Sequence, residues 1–326
     1  MTHRVAVLLP CYNEEQTIGT VVRAFRAALP DALIFVYDNN STDETAARAA
    51  KAGAIVRREP KQGKGNVTRR MFADIDADIY VIADGDGTYD AAAAPKLISR
   101  LIEDELDMVV GTRRESGDED GMAYRPGHRL GNALFNRVVS RLFGVPVGDM
   151  LSGFRAFSRR FVKTFPALAS GFEIETEITI HALELRMPIA EIELSYGSRP
   201  EGSTSKLNTW WDGFLILATI MFLYKEVRPF RFFGMLFAML AAFSLIIMYP
   251  VIVTYLDTGL VPRIPTAVLA TGTMLLGFIM LASGIILDTV SRGRREAKRL
   301  RYLSIAGPGS PMDEISGRRP RQAKEH

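Results

Sequence analysis

The chain has 326 residues, of which 48% are hydrophobic, and carries a formal net charge of +3. This composition allows a sizeable core in one large or two modest domains, and the small net charge does not indicate a nucleic-acid partner. Cys11 is the single cysteine, which excludes an intramolecular disulfide, so an oxidising compartment is not implied. The apolar run near the N-terminus is too short for a signal peptide, and we expect this part of the chain to stay in the cytosol.

Short apolar runs alternate with helical patterns in the first third of the chain. The sequence predicts strands at residues 5–9, 33–37, 54–57, 79–83 and 107–111, with helices at residues 14–29, 42–52 and 63–75 between them. This alternation indicates an α/β fold with a mostly parallel sheet covered on both faces. Ligands bind beyond the carboxyl ends of the strands in such sheets. The polar clusters at residues 38–41 and 84–86 are both predicted to lie at that edge.

The composition changes after about residue 207. Within residues 208–231, the run 210–224 is apolar apart from Asp212, contains two Trp residues and is followed by basic residues. This pattern suits a helix lying at a membrane interface, although a core helix fits it equally well. Residues 232–256 and 264–287 contain no charged residue over 25 and 24 positions. At ~1.5 Å per residue each would be roughly 36 Å long, enough to cross a bilayer. We therefore predict two transmembrane helices.

Basic residues flank the two predicted transmembrane helices on the same side. They lie before the first helix and in a cluster after the second, at Lys225, Arg228 and Arg231 and at residues 292–301. The excess of Lys and Arg in cytoplasmic loops then places the domain at residues 1–207 and both termini in the cytosol. Residues 291–326 are predicted to form a basic, largely disordered tail.

The pair Asp84 and Asp86 follows a predicted strand. Two carboxylates one residue apart can hold a hard divalent ion such as Mg²⁺ or Mn²⁺ together with the phosphates of a ligand. Such a metal neutralises charge on a nucleoside diphosphate leaving group. Thr88 and Asp90 are near enough to assist, but either could instead cap the following helix.

Other candidates also lie near the predicted sheet edge. Asp38 could accept a hydrogen bond from a nucleotide, or could cap the helix at residues 42–52. Lys64, between two glycines, suits a diphosphate, although a solvated turn lysine is the commoner role. Several arginines could grip phosphates, but the sequence alone does not choose among Arg113, Arg114, Arg125, Arg129, Arg137 and Arg155. The basic loop that ends at Lys206 is either a linker or a binding site for a lipid phosphate.

Five segments in order carry a resemblance to a known family. They are LPCYNEE at 9–15, YDNNSTD at 37–43, ADGD at 83–86, GTR at 111–113 and SGFR at 152–155. The chain resembles family-two inverting glycosyltransferases over about residues 5–207, most of all the dolichyl-phosphate mannose synthase and bacterial polyprenyl-phosphate glycosyltransferase branch. The resemblance implies a nucleotide-diphospho-sugar fold of the glycosyltransferase A type, followed here by a two-helix hairpin.

The resemblance also implies roles for individual residues. Pro10, Tyr12, Glu14 and Asp38 would line the nucleoside pocket, and Asp84 and Asp86 would hold the metal and the diphosphate. Asp149 would face the reaction centre. The remaining substrate-binding candidates would meet donor or acceptor groups: Lys64, Arg113, Arg137, Ser152, Arg155 and Lys206.

The chain departs from the family pattern at two places. Thr88 stands where a Gln is frequent, which puts the third metal contact in doubt, and Asn39 and Asn40 replace the usual Asp-Gly. The Gln-x-x-Arg-Trp motif of processive members does not occur in the sequence, which weighs against polymer synthesis. The acids at alternate positions in residues 172–177 would share one face of a strand, or would spread apart on a helix.

The sequence thus predicts that the chain moves a sugar, more plausibly from a uridine than a guanosine donor, onto a polyprenyl phosphate at a membrane. The acceptor phosphate is already ionised, so positioning and electrostatics by Asp86 and Arg113 carry most of the catalysis, and Asp149 orients the reactants. The alternatives are a glycolipid hydroxyl acceptor, for which Asp149 would act as a base, and a non-catalytic nucleotide-sugar-binding scaffold. A two-helix anchor could pack alone or as a homo-oligomer.

Overall fold

The computed structural model describes residues 3–114, 137, 140–141, 152–171, 173–195, 221–222 and 224–308. The chain divides into two compact units. The first comprises Met1–Leu207 together with Lys298–His326, and the second comprises Asn208–Ala297.

The first unit is built from alternating strands and helices. In chain order the elements are β1 (Val5–Cys11), α1 (Ile18–Ala28), β2 (Leu33–Asp38), α2 (Thr45–Lys51), β3 (Ile55–Arg58), α3 (Lys64–Asp74), β4 (Ile79–Ile82), α4 (Ala94–Glu103), β5 (Met108–Arg114), β6 (Arg155–Ser158), α5 (Arg159–Thr164), α6 (Ile174–Glu184) and β7 (Ile189–Ser195). A short 3-10 helix at Ala91–Ala93 leads into α4.

The described strands form one sheet in the order β3-β2-β1-β4-β6-β5-β7. The strands β1 to β4 pair in parallel, and β7 runs parallel to β5. Only β6 runs against its neighbours β4 and β5 among these strands. The predicted α/β fold with a mostly parallel sheet is confirmed, and the reversal at β6 is an addition that the strand pattern did not reveal.

Both faces of the sheet are covered, as buried parallel strands require. In β1, Ala6 and Leu8 point into one hydrophobic cluster, and Val7 and Leu9 point into the other. All four residues have at most 1% of their surface exposed. The near-continuous apolar run of β1 therefore reflects burial on two faces, with side chains alternating between them.

One helix begins later than predicted, and the structure decides between the two alternatives left open for another segment. The helix expected from residue 14 begins at Ile18, because the carbonyl of Glu14 accepts from the amides of Thr17 and Ile18 in a preceding turn. The acidic segment after residue 172 is helical, as α6. Ile174, Ile178 and Ala182 recur four residues apart and are buried on one side of it, a helical period that the alternating acids obscured.

Two long apolar helices follow, α7 (Pro229–Thr258) and α8 (Ile264–Leu303). Both are long and apolar enough to cross a membrane, and only 11% and 17% of their most apolar windows are buried, unlike core helices. Within their unit, Ser244 Oγ of α7 donates to the carbonyl of Ala270 in α8 over 2.7 Å. Residues 221–222 and 224–227 are helical, whereas the rest of the predicted interfacial segment lies outside the described residues.

The end of α8 corrects the prediction of a disordered tail from residue 291. The helix continues to Leu303, and its last turns are bound within the first unit. Lys298 Nζ contacts Glu184 Oε2 at 2.8 Å, and Tyr302 donates to Asp107 Oδ2 over 2.7 Å. A basic segment is expected to be disordered when its side chains have no partners. Here the carboxylates of Glu184 and Asp107 bind side chains of the segment, and Tyr302 is buried. The tail beyond residue 308 lies outside the described residues.

Candidate functional site

The candidate site lies at the carboxyl ends of β1, β2 and β4. Cys11 and Asp38 are partners in the β1–β2 ladder, and the amide of Ala83 donates to the carbonyl of Leu8. The residues that follow these strands, including Tyr12 and Asp84, are thereby brought to one edge of the sheet. The predicted meeting of the two polar clusters at this edge is confirmed.

Asp84 occupies a confined position in this site. Its Oδ1 lies 2.5 Å from Lys64 Nζ, and 28% of its side chain is exposed. On the other side, a Cβ atom added to Gly153 would approach Asp84 Oδ2 to 2.6 Å. The amide of Gly153 donates to the hydroxyl of Tyr89 over 2.9 Å. Residue 153 must therefore be glycine for the carboxylate of Asp84 to keep this position.

Asp86 is oriented by its neighbour Thr88. The Oδ1 atom of Asp86 accepts from the hydroxyl of Thr88 at 2.7 Å and from its amide at 3.1 Å. Thr88 has 2% of its surface exposed, so it positions the carboxylate from behind. Asp90 instead caps the helix at Ala91–Ala93 by accepting from the amide of Ala92 at 2.9 Å. Of the two suggested assistants, Thr88 acts on Asp86 and Asp90 is a cap.

The two aspartates fit a divalent cation that is shared with a diphosphate. Among the described residues no group of three or more His, Cys, Asp or Glu side chains could hold a metal by itself. A hard cation, however, readily takes one or two carboxylates and completes its shell with phosphate oxygens and water. The ammonium group held against Asp84 demonstrates that a cation is stabilised at this carboxylate.

Lys64 is not the solvated turn lysine that its glycine neighbours suggested. It is the first residue of α3, its side chain is 12% exposed, and its Nζ lies 2.5 Å from both Asp84 Oδ1 and Glu175 Oε1. Burial lowers the pKa of Lys64, but the attraction of Asp84 and then of Glu175 outweighs burial, so the pKa is raised above its ordinary value. Lys64 therefore carries a positive charge.

The loop before Lys64 is fixed by Asn39. Its Nδ2 donates to the carbonyls of Glu59 and Lys61 at 2.9 and 2.8 Å, and its Oδ1 accepts from the amide of Gly63 at 2.7 Å. An aspartate cannot make the two donations, which explains Asn at this position. Asn40 has φ of 65°, a left-handed conformation that glycine or asparagine adopts most readily. Both departures from the Asp-Gly pattern thus follow from the local structure.

The predicted nucleoside-pocket residues lie around the same edge. Tyr12 is 48% exposed, and Asp38 is 8% exposed with its Oδ1 accepting from the amide of Ser41. Pro10 is partly buried at the end of β1. Glu14 is tied to the loop that carries Asp86, because the hydroxyl of Thr17 lies 3.3 Å from Glu14 Oε2 and 2.7 Å from the carbonyl of Gly85.

Ser152 and Arg155 support the site from inside the protein. Arg155 is 1% exposed; its Nε donates to the carbonyl of Ser152 over 2.7 Å, and its Nη1 donates to the hydroxyl of Thr179 over 2.9 Å. The hydroxyl of Ser152 donates to the carbonyl of Gly111. Both residues border a cavity of about 10 Å³ behind Lys64, too small for a substrate. Both side chains are engaged within the protein, which suits a positioning role, and their predicted contact with substrate stays a prediction.

The remaining predicted residues are not assembled into the described site. Asp149 and Lys206 lie outside the described residues, as do Arg125 and Arg129. Arg113 lies near the end of β5, with only its backbone described, and Arg137 is an exposed helical residue. Their predicted contacts with phosphate groups remain predictions.

Two important residues were missed from the site. Glu175 holds Lys64, and Gly153 makes room for Asp84. The only sequence signal for Glu175 was its place among alternating acids, and Gly153 was quoted in a motif without a role.

Comparisons with known proteins agree with this geometry. Residues 6–165 match the family model described as Glycosyl transferase family 2. The chain is 32% identical to glycosyltransferase AglJ of Haloferax volcanii over 310 residues, which covers 92% of this chain and 98% of that protein. It is 30% identical to the dolichyl-phosphate hexose transferase of the same organism over 224 residues, which covers 69% and 95%.

Solved structures share the fold of this chain. Glucosyl-3-phosphoglycerate synthase from Mycobacterium tuberculosis, in a complex with Mn²⁺, uridine-diphosphate-glucose and phosphoglyceric acid, is 26% identical with a TM-score of 0.50, over 61% of this chain and 73% of that one. Another crystal structure of this synthase, at 23% identity and a TM-score of 0.54, shares the fold over 67% of this chain and 80% of that one. The sheet, the paired aspartates at its edge and these relatives together show that the chain belongs to glycosyl transferase family 2.

Proposed function

We propose that the chain transfers a sugar from a nucleotide-diphospho-sugar, with uridine as the expected base, to a polyprenyl phosphate. The observation that carries the donor half of this proposal is the Lys64–Asp84 ion pair at the sheet edge, with Asp86 two residues further along the chain and held by Thr88. Carboxylates that fit a divalent metal, beside a buried ammonium group, suit a diphosphate that leaves with its charge neutralised.

The acceptor half is supported by the two apolar helices and by one relative. A polyprenyl phosphate resides in a membrane, and α7 and α8 are long and apolar enough to hold an enzyme there. The dolichyl-phosphate hexose transferase of Haloferax volcanii, named for a lipid phosphate, aligns over 69% of this chain. The basic residues Lys225 and Arg228 before α7, and Arg231 in its first turn, favour a cytosolic catalytic unit, by the rule that positive charge stays inside.

The proposed reaction is a single displacement that inverts the anomeric carbon. An oxygen of the acceptor phosphate forms a bond to the anomeric carbon, while the bond from that carbon to the donor diphosphate breaks and its electron pair leaves with the diphosphate. The attacking phosphate is already ionised, so no proton has to be removed. A bound Mg²⁺ or Mn²⁺ would supply charge neutralisation on the leaving diphosphate. Asp84 and Asp86 would hold it, and Lys64 would add a further positive charge.

The chain's own residues do the positioning in this scheme. Tyr12 presents an exposed ring and directly follows Cys11, the ladder partner of Asp38, so the two residues can receive the nucleoside. Thr88 and Gly153 keep the two aspartates in place. Preorganised groups of this kind lower the barrier because they need no rearrangement when charge develops.

A transfer assay with full-length protein in detergent tests this proposal. It offers polyprenyl phosphate, Mg²⁺ or Mn²⁺, and a panel of radiolabelled uridine- and guanosine-diphospho-sugars. We expect a labelled lipid that depends on the metal, loss of at least about 100-fold in Asp86→Ala, and near wild-type activity in Asp90→Ala, which removes only a helix cap. No labelled lipid from any donor, despite metal-dependent nucleotide binding, would contradict the polyprenyl acceptor and point to a hydroxyl acceptor or a scaffold role.

A further inference from the structure

One ammonium group bridges two carboxylates in the candidate site. Lys64 Nζ lies 2.5 Å from Asp84 Oδ1 and 2.5 Å from Glu175 Oε1. The side chains of Lys64 and Glu175 are only 12% and 10% exposed, whereas that of Asp84 is 28% exposed. The bridge therefore has an inner anchor, Glu175, and an outer partner, Asp84, that is accessible to a ligand.

The backbone that carries Lys64 is fixed, so only its side chain is free to change partner. The amide of Gly63 donates to Asn39 Oδ1 over 2.7 Å, and the amide of Gly65 donates to the carbonyl of Ser170 over 3.1 Å. A Cβ atom at residue 65 would lie 2.2 Å from the carbonyl oxygen of Ala169, which shows how closely the two segments pack. The reach of Lys64 is thus limited to its immediate surroundings.

A divalent ion and the ammonium group compete for Asp84. A cation bound by Asp84 would lie a few ångströms from Lys64, and two positive charges at such a distance in a partly buried site repel strongly. The divalent ion and the ammonium group of Lys64 therefore weaken each other's binding to Asp84. Glu175 offers the ammonium group a second partner, so Lys64 can leave Asp84 without becoming a buried unpaired charge, which would be costly.

We propose that Lys64 is an exchangeable resident cation: it neutralises Asp84 until a divalent metal arrives, and then shifts its pairing to Glu175 and to the donor diphosphate. Glu175 is accordingly a positioning residue, which acts through Lys64. This inference rests on the proposed function insofar as the site receives a metal and a diphosphate.

The exchange has a consequence for the order of binding. A metal that binds without nucleotide has to displace the ammonium group of Lys64 from Asp84. Glu175 is then the partner left to that ammonium group, so the metal binds weakly. A diphosphate brings negative charge that attracts both the metal and Lys64, so metal and nucleotide strengthen each other's binding. The site therefore avoids holding a metal until a donor is present.

Mn²⁺ binding to the full-length protein in detergent, without nucleotide, tests the exchange. Electron paramagnetic resonance measures free Mn²⁺ directly and needs neither the donor nor the acceptor to be known. We expect Lys64→Gln to tighten Mn²⁺ binding on the order of tenfold, because the competing charge is gone. Glu175→Gln should weaken it several-fold, since Lys64 then has Asp84 as its remaining partner. The same assay with uridine diphosphate present should show nucleotide-enhanced Mn²⁺ binding in the wild type, and a smaller enhancement in Lys64→Gln.

Lys61→Gln is the matched control, since it removes the same charge from an exposed side chain three residues away and should leave Mn²⁺ binding unchanged. Lys64→Arg keeps the charge and should keep the weak binding of the wild type even if Lys64→Gln fails to fold. Equal Mn²⁺ affinity in the wild type and Lys64→Gln would overturn the exchange, and an unchanged affinity in Glu175→Gln would overturn the role of Glu175. A protein that shows the exchange but transfers no sugar would refute only the proposed function.

Discussion

The phenolic hydroxyl of Tyr302, near the end of α8, donates to Oδ2 of Asp107, just before β5, over 2.7 Å although the two residues are 195 positions apart. Asp107 is fully buried and also receives Arg160 Nε at 2.6 Å and the hydroxyl of Ser158 at 2.6 Å. The guanidinium of Arg160 lies over the ring of Tyr302 at 4.6 Å. The last turn of α8 is therefore part of the folded catalytic unit.

Removing this hydroxyl should destabilise the catalytic unit. Tyr302→Phe leaves one oxygen of a buried carboxylate with fewer donors, at a cost of about 1.5–3 kcal/mol. For a unit of this size the thermal midpoint should fall by about 3–12 °C, as measured by circular dichroism in detergent. Tyr249→Phe is the control, because Tyr249 is 70% exposed in α7 and should leave the midpoint unchanged. Equal midpoints for Tyr302→Phe and the wild type would contradict this account of α8.

Glycine at position 153 should be required for activity. In Gly153→Ala the added methyl group would approach Asp84 Oδ2 to 2.6 Å and displace the carboxylate. We expect a loss of at least tenfold in kcat/KM, in line with the cost of misplacing a catalytic group by about 1 Å. Gly19→Ala in α1 meets only ordinary contacts, the nearest at 3.6 Å, and should retain activity. Full activity in Gly153→Ala would show that Asp84 tolerates displacement.

Asparagine at position 39 should be needed for its two donated hydrogen bonds. Asn39→Asp turns these donations to Glu59 and Lys61 into contacts between oxygen atoms, so we expect a loss of about 1–3 kcal/mol in unfolding free energy. Donor affinity should weaken too, because the loop to Lys64 loosens. The same substitution at the neighbouring Asn40, whose contacts are exposed, should have a much smaller effect. Chemical denaturation midpoints of the two variants compare them directly, and similar midpoints would refute the role of Asn39.

Stability should fall in mild acid because of His181. Burial first, and then the positive charge of Lys298, lower the pKa of His181 to about 3. The unfolded chain binds a proton on this side chain below about pH 6.5, whereas the folded chain does so only near pH 3. The contribution of neutral, buried His181 to the stability of the fold is therefore complete above pH 6.5 and is lost as the pH falls towards 3.

His181→Gln should remove this pH dependence. The wild type should lose up to ~1.4 kcal/mol per pH unit below pH 6 through this group, so its thermal midpoint should fall more between pH 7 and pH 5 than that of the variant. His181 packs against Phe161 and Phe165 and lies 3.4 Å from the hydroxyl of Thr164, which glutamine can also meet. If the thermal midpoints of the two proteins changed equally with pH, His181 would have to accept a proton in the folded state.

The sequence was sufficient to predict the parts of the fold and site that depend on local pattern. The apolar run of β1 and the polar residues after β2 and β4 predicted both the sheet and its ligand-binding edge. The pairing of β6 against β4 was not predictable, because it joins residues 155–158 to residues 79–82 across a long stretch of chain.

Side-chain partners that come from distant segments were also beyond sequence reasoning. Arginine is a residue type that often binds phosphate, but the side chain of Arg155 is buried and its Nη1 donates to the hydroxyl of Thr179. Lys64 resembled a solvated lysine until Glu175, 111 positions away, was seen to hold it. The basic end of α8 resembled a disordered tail because its partner Asp107 is 195 positions away.

The acceptor is the central claim, and a comparison of two lipids tests it most directly. Purified full-length protein is given the productive labelled donor with polyprenyl phosphate, or with the corresponding polyprenol at the same concentration. The account predicts label on polyprenyl phosphate alone, because an ionised phosphate attacks without a base and the free alcohol does not. Label on polyprenol at a comparable rate, or on neither lipid while a glycolipid hydroxyl is labelled, would contradict it.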